Sequence, residues 1–109
     1  MKRFCVALDL KNDNKLIEEY ETLHQNVWPE IKRSIAVAGI TMMEIYRTGN
    51  RLFMIMETTD DFSFIAKEKM DGENEKVQEW EKLMWKFQQP LPWAQKGEKW
   101  VLMDKIFQL

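Results

Sequence analysis

Two apolar runs around one tight turn constrain this fold more than anything else in the chain. They are "ITMMEIYR" at 40–47 and "RLFMIMETT" at 51–59, joined by "TGN". Strand-forming residues on both sides of a short turn containing Gly-Asn are the chemistry of a β-hairpin. In the second run Leu52, Met54 and Met56 point one way and Phe53 and Ile55 the other, because successive strand residues face opposite sides. Both faces of that strand are therefore apolar. Helices can cover one face. The other needs a partner subunit, a ligand pocket or the C-terminal segment. A homodimer closing two sheets on each other is the expected cover, since two-fold dimers are the commonest oligomers.

The segments around the hairpin complete the pattern. Residues 3–10, "RFCVALDL", read as a first strand, and "KNDN" supplies turn and cap chemistry with Asn14 as the expected N-cap. From Lys15 the apolar spacing becomes helical through Leu16, Tyr20, Leu23, His24, Val27, Trp28 and Ile31. This helix is expected to run to about Ala38 and stop at Gly39. "DDFSFIAKEKM" reads as a short helix behind a capping aspartate. "EKVQEWEKLMWKFQQ" reads as a stronger one, with Val77, Trp80, Met84 and Phe87 near one face and "PLPW" as its stop. "KWVLMDKIFQL" is the expected last strand. Merging the two later helices gives β-α-β-β-α-β, the ferredoxin-like pattern. That is an α+β fold, an antiparallel sheet with helices on one face, here expected to pair into a dimeric α/β barrel. With no repeat, low-complexity segment or linker, residues 1–109 read as one domain.

Composition removes several function classes. Sixteen Lys+Arg stand against 18 Asp+Glu, a net charge of -2 with the signs well mixed. Nucleic-acid binding rests on a basic patch and is not expected. At 45% hydrophobic residues the chain is globular. Nothing approaches the ~20 apolar residues of a membrane span, and the apolar stretch at 4–8 is too short for a signal peptide. No membrane association is expected, and the cytoplasm is the expected location. The single Cys5 cannot form an internal disulfide. It is expected to be buried and inert, which fits a reducing cytosol.

The segment "YETLHQNVWPE" at 20–30 holds the only histidine. Spacing of four puts Tyr20, His24 and Trp28 on one helical stripe. Pro29 has no N–H, so the Gln25 carbonyl loses its usual partner, a cost of about 3 kcal/mol inside a regular helix. The cheaper outcome is a break near 26–28, with Pro29 opening a second helical segment. Such a break spreads the side chains around His24 and leaves room for a concavity. Simple packing also explains an aromatic stripe, so the chemistry has to be weighed against it. Metal binding fits poorly, because one histidine without HxxxH or CxxC spacing does not make a site. There is no nucleophile elbow and no glycine-rich phosphate loop. General acid–base chemistry without a cofactor remains, and imidazole suits it by titrating near neutral pH. Tyrosine can hold or relay a proton, and tryptophan offers a flat face to a pyranose. The chain has 5 tryptophans; Trp85, Trp93 and Trp100 serve a core or an interface equally well.

This segment resembles the signature of the L-rhamnose mutarotase family, Y-x-x-x-H-x-x-x-W-P-E. The similarity extends through the first strand, "IYR" and the hairpin, "EWEKLMW" and the closing strand. The resemblance implies a ferredoxin-like dimer that interconverts the α and β anomers of 6-deoxy sugars without a cofactor. It implies His24 as proton donor and Tyr20 as a sugar-binding residue. The family's sugar-contacting set falls here on Met43 and Trp80-Glu81, where the family has a tyrosine and a tandem tryptophan pair; Tyr46 matches the family's later tyrosine on that strand. Trp80 and Trp28 are expected to pack against the sugar. Glu81 is expected to accept hydroxyl hydrogen bonds or act as the opposing base, the other reading being a solvated helix charge. These departures imply a different pattern of sugar hydroxyls, closer to the branch acting on L-fucose than on L-rhamnose. Two rivals share the architecture: a dimeric ferredoxin-like ligand-binding module, and a cofactor-free monooxygenase acting on aromatic substrates. Neither explains why Tyr20, His24 and Trp28 share a stripe beside Pro29.

Overall fold

A computed structural model describes the whole chain, Met1 to Leu109. Its sheet is antiparallel in the order β2-β3-β1-β4. The strands are β1 (Lys2–Leu10), β2 (Ile40–Thr48), β3 (Arg51–Thr58) and β4 (Gln88–Gln89). A short β5 (Val101–Leu102) joins the same edge of β1 at Val6 and Ala7, next to β4 at Asp9 and Leu10. The hairpin turn places Gly49 at φ 55°, left-handed backbone that glycine adopts without strain.

Four α-helices complete the fold: α1 (Asn14–Leu23), α2 (Pro29–Val37), α3 (Phe64–Gly72) and α4 (Glu75–Met84). The first helical stretch breaks where the proline predicts. A 3-10 turn, His24–Asn26, follows α1, Val27 and Trp28 are extended, and Pro29 is the first residue of α2. Two caps differ from expectation. Asp13, not Asn14, caps α1 by accepting from the N–H groups of Lys15 and Leu16. Ser63, not an aspartate, caps α3 by accepting from Ala66 N–H. Both have extended backbone, which aims a short oxygen at the first free amides.

The later boundaries also shift. α4 stops at Met84 instead of continuing to residue 89. The chain tightens there, with Lys86 and Phe87 N–H bonding the carbonyls of Leu83 and Met84. Gln89 precedes Pro90, a position biased toward extended backbone, and the open edge of β1 supplies ladder partners. The last strand is likewise short. Only Val101 and Leu102 pair, Met103 N–H reaches Cys5 O at 2.8 Å, and Ile106, Phe107 and Leu109 end the chain exposed.

A bulge at Thr41 sets which residues of β2 face the helices. Ile40 lies opposite Thr58 and Met42 opposite Glu57, so one extra residue stands between them. Ile40, Met43, Ile45 and Arg47 then share the helix side with Leu52, Met54 and Met56, while Met42, Glu44 and Tyr46 turn to the other. The main core gathers Leu10, Tyr20, Ile31, Leu52, Val77, Trp80, Met84 and Phe87 between sheet and helices. A smaller cluster of Ile40, Met56 and Phe62 lies at the other end. The remaining sheet face carries Cys5, Ala7, Met42, Phe53 and Ile55, all half-buried. Cys5 is therefore not the fully buried residue expected, because β1 turns it to the side no helix covers. At one end of this face the buried Asp9 carboxylate is held by Arg51 through two bonds of 2.7 and 3.2 Å. No helix is long and apolar enough to cross a membrane.

Candidate active site

The helix break gathers a line of aromatic rings. Tyr20, on the inner side of α1, is buried in the core. Its ring lies 4.3 Å from that of His24 and 6.0 Å from Phe87. His24 meets the edge of Trp80 at 5.7 Å, and Trp80 meets Trp28 at 5.1 Å. Edge-to-face contacts of this kind fix ring orientation as well as burying area. Four of the residues expected from the sequence therefore stand together: Tyr20, His24, Trp28 and Trp80.

The imidazole is oriented by its own helix. His24 Nδ1 is 2.8 Å from the carbonyl oxygen of Tyr20, one turn back. A carbonyl only accepts, so Nδ1 carries the proton in the neutral ring and Nε2 is the nitrogen left with a lone pair. His24 lines a cavity of about 410 Å³ between α1 and the hairpin, within the ~300–1,000 Å³ range of small-molecule sites. Tyr20, Glu21 and Gln25 line it from α1 and its turn, and Ile45, Arg47 and Leu52 from the strands. The rim is charged. The Arg47 guanidinium pairs with the Glu21 carboxylate and donates to Gly49 O at 2.8 Å. At the buried end Gln88 Nε2 donates to Tyr20 Oη at 3.3 Å. Burial pushes the Tyr20 phenol above its ordinary pKa, and the bond from Gln88 pulls weakly the other way. Tyr20 is thus a neutral hydroxyl at ordinary pH, able to donate.

Trp28 and Trp80 stand behind His24 and not on the cavity wall, and three other expected residues are placed differently from the expectation. Met43 is on the helix side of β2 but packs beside Ile40, Met56 and Phe62. Tyr46 edges the cavity, yet its ring belongs to the uncovered face, where its hydroxyl bonds Glu44 and its ring packs on Phe53 at 6.3 Å. The bulge at Thr41 is the reason. Glu81 is not on the cavity wall. It faces Gln78 at 3.5 Å and lies near Lys99, whose ammonium sits 4.6 Å from the Trp85 ring centroid. Burial lowers the pKa of Lys99, and the Glu81 charge opposes that. No three His, Cys, Asp or Glu side chains converge on a metal-sized point.

Three residues of this region went unremarked in the sequence, Glu21, Arg47 and Gln88, and Gln25 stood out only for its carbonyl. Glu21 had a signal, since a carboxylate three residues before His24 shares its side of a helix. Arg47 and Gln88 had none, because they reach the site from other elements.

Known proteins are similar to this chain in sequence and in architecture. The sequence profile of the L-rhamnose mutarotase family matches residues 3–109. An L-fucose mutarotase of Xanthomonas campestris pv. campestris is 44% identical over 111 residues, covering 100% of this chain and 89% of that protein. The crystal structure of an L-rhamnose mutarotase from Formosa agariphila superposes with a TM-score of 0.74 at 20% identity, covering 100% of this chain and 99% of that one. A dimeric ferredoxin-like protein from an uncultured marine organism superposes with a TM-score of 0.52 at 13% identity, covering 98% and 90%. The last two likenesses concern the fold.

Proposed function

The chain belongs to the L-rhamnose mutarotase family, and from that premise we propose which sugar it takes and which residues carry the reaction. It is an isomerase that interconverts the anomers of a sugar. The sugar is a 6-deoxy aldose of the L-fucose type, supported by the 44% identity to an L-fucose mutarotase across the whole chain.

Mutarotation needs a proton on the ring oxygen and a base for the anomeric hydroxyl. Protonated His24 gives its Nε2 proton to the ring oxygen as the C1–O bond breaks. The anomeric hydroxyl loses its proton and becomes the open-chain aldehyde. Rotation about C1–C2 presents the other face, and closure reverses both transfers, with His24 Nε2 as base. Glu21, held by Arg47 on the same cavity, is the opposing proton acceptor, the role first expected of Glu81. Tyr20 donates a hydrogen bond to a sugar oxygen, and Trp80, backed by Trp28, packs against the imidazole. The observation that carries this reading is the His24 ring itself: its Nδ1 is committed to a carbonyl, and the residue lines a cavity with a neutral phenol and a carboxylate beside it.

Two further parts of the proposal concern the whole chain. It works as a homodimer, supported by a sheet face that no helix covers and by an exposed apolar tail. It works in a reducing compartment such as the cytoplasm, which suits a lone free cysteine.

The test is saturation-transfer NMR on the anomeric protons of a panel of aldoses. Exchange accelerates with L-fucose. His24→Asn, with unchanged circular dichroism, loses about 10²–10⁴-fold of the enzymatic rate, the usual worth of positioned proton transfer. A folded His24→Asn variant that equilibrates anomers as fast as the parent removes His24 from the mechanism.

A further inference from the structure

One buried polar side chain has a need that the fold does not meet. Gln88 is 4% exposed, its Nε2 donates to Tyr20 Oη at 3.3 Å, and no protein donor reaches its Oε1. An unpaired amide oxygen in a core is a standing cost that a hydrocarbon of the same size does not carry. Gln88 lies directly opposite Leu10 across the β1–β4 ladder, and Leu10 belongs to the main core. The Gln88 side chain therefore enters the layer between sheet and helices, beneath α1. It meets the hydroxyl of Tyr20, a residue of the cavity wall.

The hydrogen-bond inventory of that phenol decides what the contact does. A tyrosine oxygen offers lone pairs and a single proton. Gln88 occupies a lone pair from the buried side, so the proton is left for an acceptor in the cavity. We propose that Gln88 is a positioning residue of the sugar site, anchoring Tyr20 Oη from within so that the phenol turns its proton outward to a sugar oxygen. This rests on the mutarotase reading of the cavity. It also names the alternative it excludes. With the amide reversed, Oε1 would accept the Tyr20 proton and withdraw it from the sugar.

The two arrangements shift the phenol in opposite senses. A donated bond favours the phenolate, so removing it raises the Tyr20 pKa. An accepted proton favours the phenol, so removing that bond lowers it. The chain has 2 tyrosines, and ¹³Cζ-labelled tyrosine with a Tyr46→Phe control assigns the resonances. In Gln88→Met, nearly equal in volume, the Tyr20 titration moves upward. No movement, or a downward one, overturns the anchor.

A double-mutant cycle tests the functional half. Gln88→Met lowers kcat/KM for L-fucose by at least about tenfold in the parent. In the Tyr20→Phe background the same change costs less than about twofold, because the oxygen it served is gone. Equal losses in both backgrounds show that Gln88 supports only the packing, and the positioning role is then wrong. If Gln88→Met does not fold, Gln88→Asn, which keeps an amide one methylene short, carries the same measurements. A parent protein that equilibrates no 6-deoxy sugar sinks the mutarotase reading, and the positioning role with it, while the titration still reports whether the Gln88–Tyr20 bond exists.

Discussion

A single imidazole can serve as acid and then as base only when one ring nitrogen is committed and the other is free. The Tyr20 carbonyl makes that commitment for His24 at 2.8 Å, and because donor and acceptor are one helical turn apart the sequence spacing already implies it. The opposing carboxylate is a different matter. Glu81 stands next to Trp80 in sequence but faces Gln78 and Lys99, whereas Glu21 lines the cavity, paired with Arg47. Glu21→Gln should lower kcat for L-fucose by about 10²-fold, the low end of what a positioned proton acceptor contributes. Glu81→Gln should leave it within about twofold. Anomer-exchange NMR on both variants decides between them, and the reverse order would return the role to Glu81. His24, Tyr20 and Trp28 were legible because they share one helical stripe. Arg47 and Gln88 were not, because they meet that stripe only across the fold.

At the scale of the element, the site exists because α1 and α2 do not fuse. Pro29 ends any continuous helix, the 3-10 turn carries His24, and α2 restarts with the proline where its missing N–H costs nothing. The other end of α2 is fixed by Gly39 at φ 98°. A Cβ there would lie 2.7 Å from Thr59 Oγ1, and that hydroxyl is itself held by Asp61 at 2.6 Å. Gly39→Ala therefore combines left-handed strain with a clash. It should destabilise the fold by about 1–3 kcal/mol, lowering Tm by at least ~4 °C for a domain of this size. Thermal melts followed by circular dichroism check this, and an unchanged Tm would mean the loop yields freely. The helix-like reading of residues 85–89 failed for a comparable reason. Apolar spacing continues through Phe87, but the pre-proline bias and the unfilled edge of β1 draw Gln88 and Gln89 into the sheet.

For the whole molecule, the two-sided hairpin remains the dominant fact. The helices bury one side, and the other leaves Cys5, Ala7, Met42, Phe53 and Ile55 only half-covered. A second copy would supply the missing layer without any new sequence. Sedimentation velocity should show a dimer for the parent and a monomer for Phe53→Glu, since a charge in the middle of an apolar interface is desolvated without a partner. A monomeric parent, or a variant that sediments as the parent dimer does, would count against the pairing. The order of elements through α4, the helix break and the placing of Tyr20 beside His24 follow from the chain alone, because periodicity, proline chemistry and i,i+4 spacing act within a few residues. Which carboxylate faces the cavity, which side of β2 carries Tyr46 and what lies beneath the Tyr20 hydroxyl were decided by tertiary structure. One bulge at Thr41 and one short strand at Gln88 set the last two, and both depend on partners far away along the chain.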